Sequence, residues 1–454
     1  MTFLVKQIVA GAVLTLLLGA VAGAQQLKDT QLQAHDPEAE YYLGKMFAEG
    51  IGVATDIQTA VHWFERAAEH GQLDAKLTLA DLYFQGEGVA EDKALALFYY
   101  RSAADMGNAN AQFMVGDMLV KGEGVEPDPA EAIRWFRLAA AQGLSNAMNE
   151  LGRMHAIGEG VPQDGALAIQ WFERSANTGF SWAQFELGRY YSIGQFVDEN
   201  HETAARWYRL AADQGNVLAQ YELARKYALG IGVEKDEGRA ALLYGRAADS
   251  GHALAQYELA LMYAGGKGVS QDSETAAEWL SRSSALGNAL ASYELAKFYA
   301  TGDGVERDLN RAMSLYRVAA DKGNSWAQYE LARLYVEGKG IAKDFNKSAF
   351  YYEQSAENGN SWAQFELGRL HGLGLGVPQD ASLALRWYRR SSDQGNPLAQ
   401  VQMGHHYARG DGVEADKEEA ARWYLLAVEQ GTAEAIAAFY KLCQQQDAPR
   451  ACKV

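Results

Sequence analysis

The sequence has few cysteines, few prolines and no excess of positive charge. Two of its 454 residues are cysteine and seven are proline. With 41 basic and 58 acidic residues, the net charge is −17 at pH 7, which disfavours binding to nucleic acid or to anionic membranes. Hydrophobic residues make up 48% of the chain, too many for a disordered protein. We therefore expect a folded chain.

The sequence also lacks the common catalytic and metal-binding motifs. It contains no Gly-x-Ser-x-Gly, no Ser-x-x-Lys and no His-Glu-x-x-His. The nine histidines are scattered, and His155 and His371 occupy positions that are aromatic in most of the repeats described below. We interpret these two as packing residues. We predict no catalytic residue, no metal site and no cofactor, and hence a protein that is not an enzyme.

The first 24 residues have the form of a signal peptide. Lys6 supplies positive charge, residues 8–22 are apolar, and Ala22-Gly23-Ala24 has the small-x-small form of a cleavage site. An uncleaved membrane anchor is the alternative, although the apolar run is shorter than the about 20 residues that a spanning helix needs. We expect the mature chain to begin at Gln25 and to be exported, to the bacterial periplasm or beyond the cell.

The two cysteines lie close together near the C-terminus. Cys443 and Cys452 are nine residues apart, and an exported protein meets an oxidising compartment in which two nearby thiols can pair. The sequence predicts a disulfide bond that closes the C-terminal tail. Two free thiols are the alternative.

One spacing organises the remainder of the chain. Glycine recurs every 36 residues without insertion or deletion, at Gly71, Gly107, Gly143, Gly179, Gly215, Gly251, Gly287, Gly323, Gly359, Gly395 and Gly431. Alanine follows each glycine by four residues. A fixed period of this size is typical of a solenoid. We predict a polar lead at 25–35, eleven repeats at 36–431, and a C-terminal capping helix and tail at 432–454.

Each repeat contains two amphipathic helices. In the fifth repeat, Ala183, Leu187 and Tyr191 form the apolar stripe of a first helix, and the pattern beginning at Ala204 forms that of a second. Gly-x-Gly ends the first helix in ten of the eleven repeats. Asp or Asn then caps the second helix. The fifth repeat has Phe196 in place of the second glycine, so we expect a local departure from regularity there.

The first helix of a repeat has a small residue at a fixed position, and the second helix has, in most repeats, a large aromatic residue at a fixed position. A Gly or Ala follows the conserved Leu of the first helix, as at Gly152, and allows neighbouring helices to approach to about 8 Å. Seven of the ten tryptophans fall at one position of the second helix, and we expect them in the core: Trp63, Trp135, Trp171, Trp207, Trp279, Trp387 and Trp423.

The repeats follow the pattern A-x-x-x-L-G-x-x-Y-x-x-G-x-G-V-x-x-D and continue with A-x-x-W-Y-x-x-A-A-x-x-G. This pattern resembles the Sel-one-like repeat, an α/α relative of the tetratricopeptide repeat. The resemblance covers nearly all of the chain after residue 35. It implies an all-α fold, a right-handed α/α superhelical solenoid whose members act as adaptors and scaffolds for protein complexes. In bacteria such proteins often serve envelope, exopolysaccharide, motility or host-interaction machinery.

By analogy with tetratricopeptide repeats, three positions of the first helix face the concave side: the residue before the conserved Ala, and those three and seven residues further on. Repeats five, nine and ten share the segment S-W-A-Q-[FY]-E-L-[AG]-R there. The candidate partner-binding residues are Trp182, Phe185, Arg189, Tyr221, Arg225, Tyr257, Tyr293, Trp326, Tyr329, Arg333, Trp362, Phe365 and Arg369. Packing between repeats is the alternative role for these residues.

The sequence thus favours an exported, non-enzymatic scaffold that binds a protein partner through the concave face, in bacterial envelope assembly or signalling. Tryptophan, tyrosine and arginine are the residue types that anchor protein interfaces. A glycan-binding module for peptidoglycan or an exopolysaccharide is one alternative, because aromatic rows can stack on sugar rings. A secreted host-interaction factor is another.

Overall fold

The computed structural model describes residues 36–445 and 447–453. The chain divides into two compact units, Met1–Ala219 and Gln220–Val454, hereafter the first and second units. The predicted signal peptide at 1–24 and the polar lead at 25–35 lie outside the described residues, so both stay predictions. No strand occurs in the described part of the chain, which is all-helical, as predicted.

Helices α1 to α10 lie in the first unit. Their bounds are Pro37–Glu49, Ile57–Glu69, Leu73–Gln85, Lys93–Asp105, Ala109–Lys121, Pro129–Ala141, Ser145–Ile157, Gly165–Asn177, Ser181–Ile193 and His201–Asp213. Helix α11 is Val217–Leu229, and the division between the units falls within it. Helices α12 to α23 lie in the second unit: Glu237–Asp249, Ala253–Gly265, Ser273–Ala285, Ala289–Thr301, Leu309–Asp321, Ser325–Glu337, Phe345–Glu357, Ser361–Leu373, Ala381–Asp393, Pro397–Arg409, Lys417–Glu429 and Ala433–Cys443.

These helices are paired as helix-turn-helix repeats, which confirms the α/α solenoid. Odd-numbered helices are the first helices of the repeats and even-numbered helices the second. Caps at both ends explain why helices α1 to α22 have the same length. Asp92 accepts a hydrogen bond from the Leu95 amide at 2.9 Å and so opens α4, and Gly86 ends α3 in the left-handed conformation with φ 72°. Either feature leaves fewer unsatisfied backbone groups at a helix end.

The first helices have their own caps, which the sequence analysis did not identify. The Asn324 side chain accepts a hydrogen bond from the Ala327 amide at 2.9 Å, at the start of α17. Asparagine makes the equivalent bond before five other first helices, at Asn108, Asn216, Asn288, Asn360 and Asn396. In contrast, Leu144 and Phe180 precede α7 and α9 without any side-chain cap.

The loop of the fifth repeat was expected to depart from the others, but its backbone conformation is similar to theirs. Phe196 has φ 66°, in the range of the glycines that occupy the equivalent position in neighbouring loops. It is the one non-glycine residue with positive φ in the described chain. The flanking helices α9 and α10 keep the standard length of 13 residues.

The core of each repeat forms where a small residue of the first helix lies beneath a ring of the second. A Cβ added to Gly188 would lie 2.6 Å from the Tyr208 ring, so only a small residue fits there. The tryptophan prediction was correct only in part, because Trp63, Trp387 and Trp423 are buried whereas the other four are half-buried. The more deeply buried ring belongs to the next residue, as in Phe64 and Phe136.

The C-terminal segment folds back on the last complete repeat. Helix α23 is followed by a 3-10 turn at Arg450–Lys453, and the Cα atoms of Cys443 and Cys452 lie 5.3 Å apart with their sulfur atoms paired. Lys417 contacts Asp447, and the Arg450 amide donates to Glu418 at 2.8 Å. None of the helices described in the structure is long and apolar enough to cross a membrane.

Candidate functional site

Three sets of side chains make up the first-helix face. We call the residue before the conserved Ala the outer row, the residue three positions later the ring column, and the residue four positions after that the basic column. Trp182, Phe185 and Arg189 of α9 are one member of each. Because these positions are three and four apart, they lie on one side of the helix. The members in each unit are described separately.

The ring column is packed against the second helix of the same repeat. In the first unit, Phe185 lies 5.8 Å from Tyr208 between ring centroids. In the second unit, the corresponding ring pairs are separated by 5.7 to 5.9 Å: Tyr221–Tyr244, Tyr293–Tyr316, Tyr329–Tyr352 and Phe365–Tyr388. Phe365 is buried and the others are half-buried. These rings therefore stabilise the repeat, and only part of each ring is left for a partner.

The tyrosines of the ring column remain neutral at physiological pH. Burial, together with the negative charges of Glu330 and Glu294, raises the pKa of Tyr293 to about 12. Burial likewise raises the pKa of Tyr221, Tyr257 and Tyr329 above the ordinary value. Each hydroxyl thus keeps its proton and can donate a hydrogen bond at the face.

The outer row is the exposed part of the face. Trp182 in the first unit is 51% exposed, and Trp326 and Trp362 in the second unit are 47% and 39% exposed. Trp326 stands edge-on to Tyr329, with the ring centroids 6.1 Å apart. Leu254 and Leu290 precede the two tryptophans of the second unit in the same row and are also exposed. Four consecutive repeats of the second unit, seven to ten, therefore present a large apolar side chain to solvent.

The basic column is paired with carboxylates of its own helices. Arg189 donates to Glu186 at 2.7 Å, and Arg333 and Arg369 make the same contact with the Glu three residues earlier. Arg225–Glu222 and Lys297–Glu294 complete the series in the second unit. Such pairs stabilise a helix by about 0.2–0.5 kcal/mol. The pairs form a ladder along the first helices and hold the basic side chains on the face.

Glu258 interrupts the ladder. The residue three positions later is Leu261, and no ion pair to Glu258 occurs among the described residues. Burial raises the pKa of Glu258, and the positive charge of Arg225 only partly opposes that shift.

His252 caps the first helix that contains Glu258. It packs on Tyr221, with the ring centroids 4.7 Å apart, and accepts a hydrogen bond from the Ala255 amide. Burial lowers the pKa of His252, so this cap is a neutral imidazole at pH 7.

The histidines do not assemble a metal site in the described residues. No group of three His, Cys, Asp or Glu side chains with the arrangement of a metal site occurs there. His155 is buried with neither ring nitrogen hydrogen-bonded, and burial lowers its pKa. His405 contacts the Tyr424 hydroxyl at 2.8 Å and Glu434 at 3.5 Å. These contacts are those of packing residues.

The sequence analysis missed a cavity in the first unit. It has a volume of about 330 Å³ and lies beside Trp182, at the position where Asn149 replaces the ring of the column. The signal was present in the sequence, because position 149 is the one member of the column in repeats three to ten that is not Phe or Tyr. A break in a 36-residue column is visible only when the columns are aligned residue by residue.

Comparison with known proteins supports the fold over residues 37–432. The Sel1 repeat profile matches eleven segments, at 37–72, 74–108, 109–144, 145–180, 183–216, 217–252, 253–288, 289–324, 327–360, 363–396 and 397–432. No curated protein matches the chain.

Two solved structures match over most of the chain. One is c5321 of uropathogenic Escherichia coli, a protective antigen with an SLR fold: it is 33% identical, the match covers 90% of this chain and 91% of that protein, and the TM-score is 0.76. The other is a Sel1 repeat protein from Oxalobacter formigenes, 30% identical, with 72% and 93% covered and a TM-score of 0.57. With eleven matched repeats and these relatives, the chain belongs to the Sel1 repeat family.

Proposed function

We propose that the protein is an exported, non-enzymatic scaffold that binds a protein partner through the first-helix face. The observation that carries the proposal is the outer row of the second unit, where Leu254, Leu290, Trp326 and Trp362 are all exposed in consecutive repeats. Large apolar side chains that are exposed in consecutive repeats are typical of interaction sites in folded proteins. The Sel1-repeat solenoid is consistent with a protein-interaction scaffold and is typically non-catalytic.

The neighbouring side chains add the polar contacts that an interface needs. Arg333 and Arg369 lie on the same helices as Trp326 and Trp362, and each guanidinium is only partly used by its own carboxylate. Exposed Trp and Arg are the residue types that contribute most to binding free energy in interfaces. Tyr329 packs against Trp326, so this indole loses little conformational entropy on binding.

Export rests on the residues before the repeats. The 1–24 segment has the features of a signal peptide, and the E. coli relative, a protective antigen, supports an exported location. Amino-terminal sequencing of protein recovered from the envelope or the medium tests this step. We expect a chain that begins at Gln25, and a chain that retains residues 1–24 contradicts cleavage.

The binding step is tested by a triple substitution on the second unit. Crosslinking and mass spectrometry in the native envelope identify the partner, which is then purified for affinity measurements. We expect Trp326→Ala, Trp362→Ala and Arg369→Ala together to weaken binding by at least about a hundredfold, because a central Trp contributes about 2 kcal/mol or more. The circular dichroism melt should change little, because the tryptophans are exposed.

A second triple variant is the matched control. Leu242 and Phe350 are also exposed apolar residues of the second unit, but they lie on second helices. Arg422 is paired with Glu419 three residues earlier, as Arg369 is with Glu366. We expect Leu242→Ala, Phe350→Ala and Arg422→Ala together to leave the affinity unchanged. Equal affinities of the two triple variants contradict the proposal.

A further inference from the structure

The ring column has a gap in the first unit. In α5 and α9 the column residue is a phenylalanine that packs on a ring of the second helix, with Phe113 5.6 Å from Phe136 and Phe185 5.8 Å from Tyr208. Between them, α7 has Asn149 at this position. Asparagine is much smaller than a ring, and the space beside it remains open as the cavity of about 330 Å³. That volume lies at the lower end of the about 300–1,000 Å³ of ligand pockets.

Aromatic rings form one side of the cavity. Phe113 comes from α5, Phe180 precedes α9, and Trp182 lies in the first turn of α9. Trp182 is half-exposed, so part of its indole surface is open to an incoming group. Tryptophan attracts cations to its face more strongly than the other aromatic residues.

Hydrogen-bond acceptors form the other side. Glu150 and Glu186 line the cavity, and each uses its Oε2 atom to accept a bond of 2.7 Å from the arginine three residues later. Among the described residues no hydrogen bond to either Oε1 occurs. The Oδ1 atom of Asn149 is buried and also lacks a partner. A buried acceptor without a donor costs free energy, which a suitable ligand recovers.

We propose that this cavity binds an arginine side chain of a peptide partner. A guanidinium is flat enough to stack on Trp182, and its five N–H groups match the free acceptors of Glu150, Glu186 and Asn149. Arg153 and Arg189 contact the Oε2 atoms of these carboxylates but do not line the cavity, so a guanidinium in the cavity would pair with the Oε1 atoms. A neutral aromatic side chain would fill the same space but leave the Oε1 atoms of both carboxylates without a donor. The inference rests on the proposed function only in that both include Trp182.

The test uses a defined probe and the full-length protein. The probe is the capped peptide Gly-Gly-Arg-Gly-Gly, and its control contains citrulline, which has nearly the same shape without the charge. The indole N–H signal of Trp182 is assigned among the ten tryptophans by Trp182→Phe. We expect the arginine peptide to shift this signal to saturation, and the citrulline peptide to bind at least tenfold more weakly. Equal binding of the two peptides, or no saturable shift, overturns the proposal.

Two variants test the cavity itself. Asn149→Phe restores the ring that neighbouring repeats have, and we expect at least a tenfold loss of arginine-peptide affinity. Leu77→Phe places the same ring at the equivalent position of α3, outside the cavity, and should bind like the unmodified protein. If Asn149→Phe does not fold, the double variant Glu150→Gln with Glu186→Gln tests the proposal instead. It keeps the size of both side chains and removes their charge, so we expect weaker binding of the arginine peptide. Unchanged arginine binding in either folded variant overturns the proposal.

Failure here is distinguishable from failure of the proposed function. The triple variant of Trp326, Trp362 and Arg369 alters only the second unit, whereas every residue of the cavity lies in the first. We expect that variant to bind the arginine peptide like the unmodified protein. Loss of the protein partner and loss of the peptide are thus separate outcomes.

Discussion

The ring of Phe196 occupies the space in which a side chain on Gly165 would lie. A Cβ on Gly165 would fall 2.1 Å from Cδ1 of Phe196, well inside van der Waals contact. In the preceding repeat the sizes are reversed, because Gly160 of the loop lies against Pro129 of the second helix. The fifth loop therefore keeps its conformation through a paired exchange: the loop gains a ring, and the second helix of the previous repeat loses its side chain.

This exchange predicts strong coupling between the two positions. We expect Gly165→Ala to lower the free energy of unfolding by about 1–3 kcal/mol, because a methyl group there collides with the ring. In a background that carries Phe196→Gly, the same Gly165→Ala change should cost little, because the ring is gone and φ 66° suits glycine. Urea or thermal unfolding of the four proteins completes the double-mutant cycle. An equal cost of Gly165→Ala in both backgrounds contradicts the prediction.

Most periodic features of the protein could be predicted from the sequence, whereas the contacts made at single-site exceptions could not. The 36-residue spacing predicts the paired helices, and the Asp or Asn at a fixed position predicts the caps of the second helices, because the same local chemistry recurs in every repeat. The asparagine caps of the first helices recur in only six repeats and were not identified. The exchange between Phe196 and Gly165 joins residues 31 positions apart in one repeat pair only, so no spacing indicates it. The cavity beside Asn149 likewise depends on three-dimensional contacts of Phe113, Phe180 and Trp182.

Ser348 is a third exception, and it predicts a stabilising substitution. Its Oγ atom is buried without a hydrogen-bond partner, in a column that is alanine in the ten other repeats: Ala60, Ala96, Ala132, Ala168, Ala204, Ala240, Ala276, Ala312, Ala384 and Ala420. An unsatisfied buried hydroxyl costs about 1–3 kcal/mol. We expect Ser348→Ala to raise the free energy of unfolding by part of that amount, measured by chemical denaturation.

Ser355 of the same helix is the matched control. It is equally buried, but its hydroxyl donates to the Ser325 carbonyl at 2.7 Å. We expect Ser355→Ala to lower the free energy of unfolding by about 0.5–1.5 kcal/mol, because a satisfied hydrogen bond is lost. Changes of the same sign in the two variants would show that loss of the hydroxyl, and not its bonding state, determines the effect.

Glu258 predicts a pH-dependent contribution to stability. Burial raises its pKa in the folded protein, although Arg225 of α11 acts in the opposite direction. The folded chain therefore holds this proton to higher pH than the unfolded chain does, and stability falls as pH rises through the folded-state pKa. We expect Glu258→Gln to raise the melting temperature at pH 7 and to change it little at pH 3, where the carboxyl is protonated in both states.

Glu294 provides the comparison for Glu258. It occupies the equivalent position of the next repeat, and Lys297 donates to it at 2.7 Å. We expect Glu294→Gln to lower stability at pH 7 by about 0.2–0.5 kcal/mol, because the helical ion pair is lost. If Glu294→Gln raises the melting temperature at pH 7 as much as Glu258→Gln does, the effect does not depend on the missing ion pair of Glu258, and the prediction is wrong.

The cysteine pair predicts a bond that holds the end of the solenoid. The chain between Cys443 and Cys452 is short, and closing a loop of this size removes about 2–3 kcal/mol of entropy from the unfolded state. We expect protein isolated without reductant to show no free thiol after denaturation, and Cys443→Ser with Cys452→Ser to destabilise α23 by roughly that amount.

Amide hydrogen exchange, which resolves local opening, measures the destabilisation of α23 in the segment Ala433–Cys443. Two thiols titrated in the denatured, unreduced protein, or unchanged exchange in the double variant, would contradict the prediction. The remaining helices serve as the internal control, because stability in a solenoid depends on neighbouring repeats and loss of the bond should not reach the distant ones.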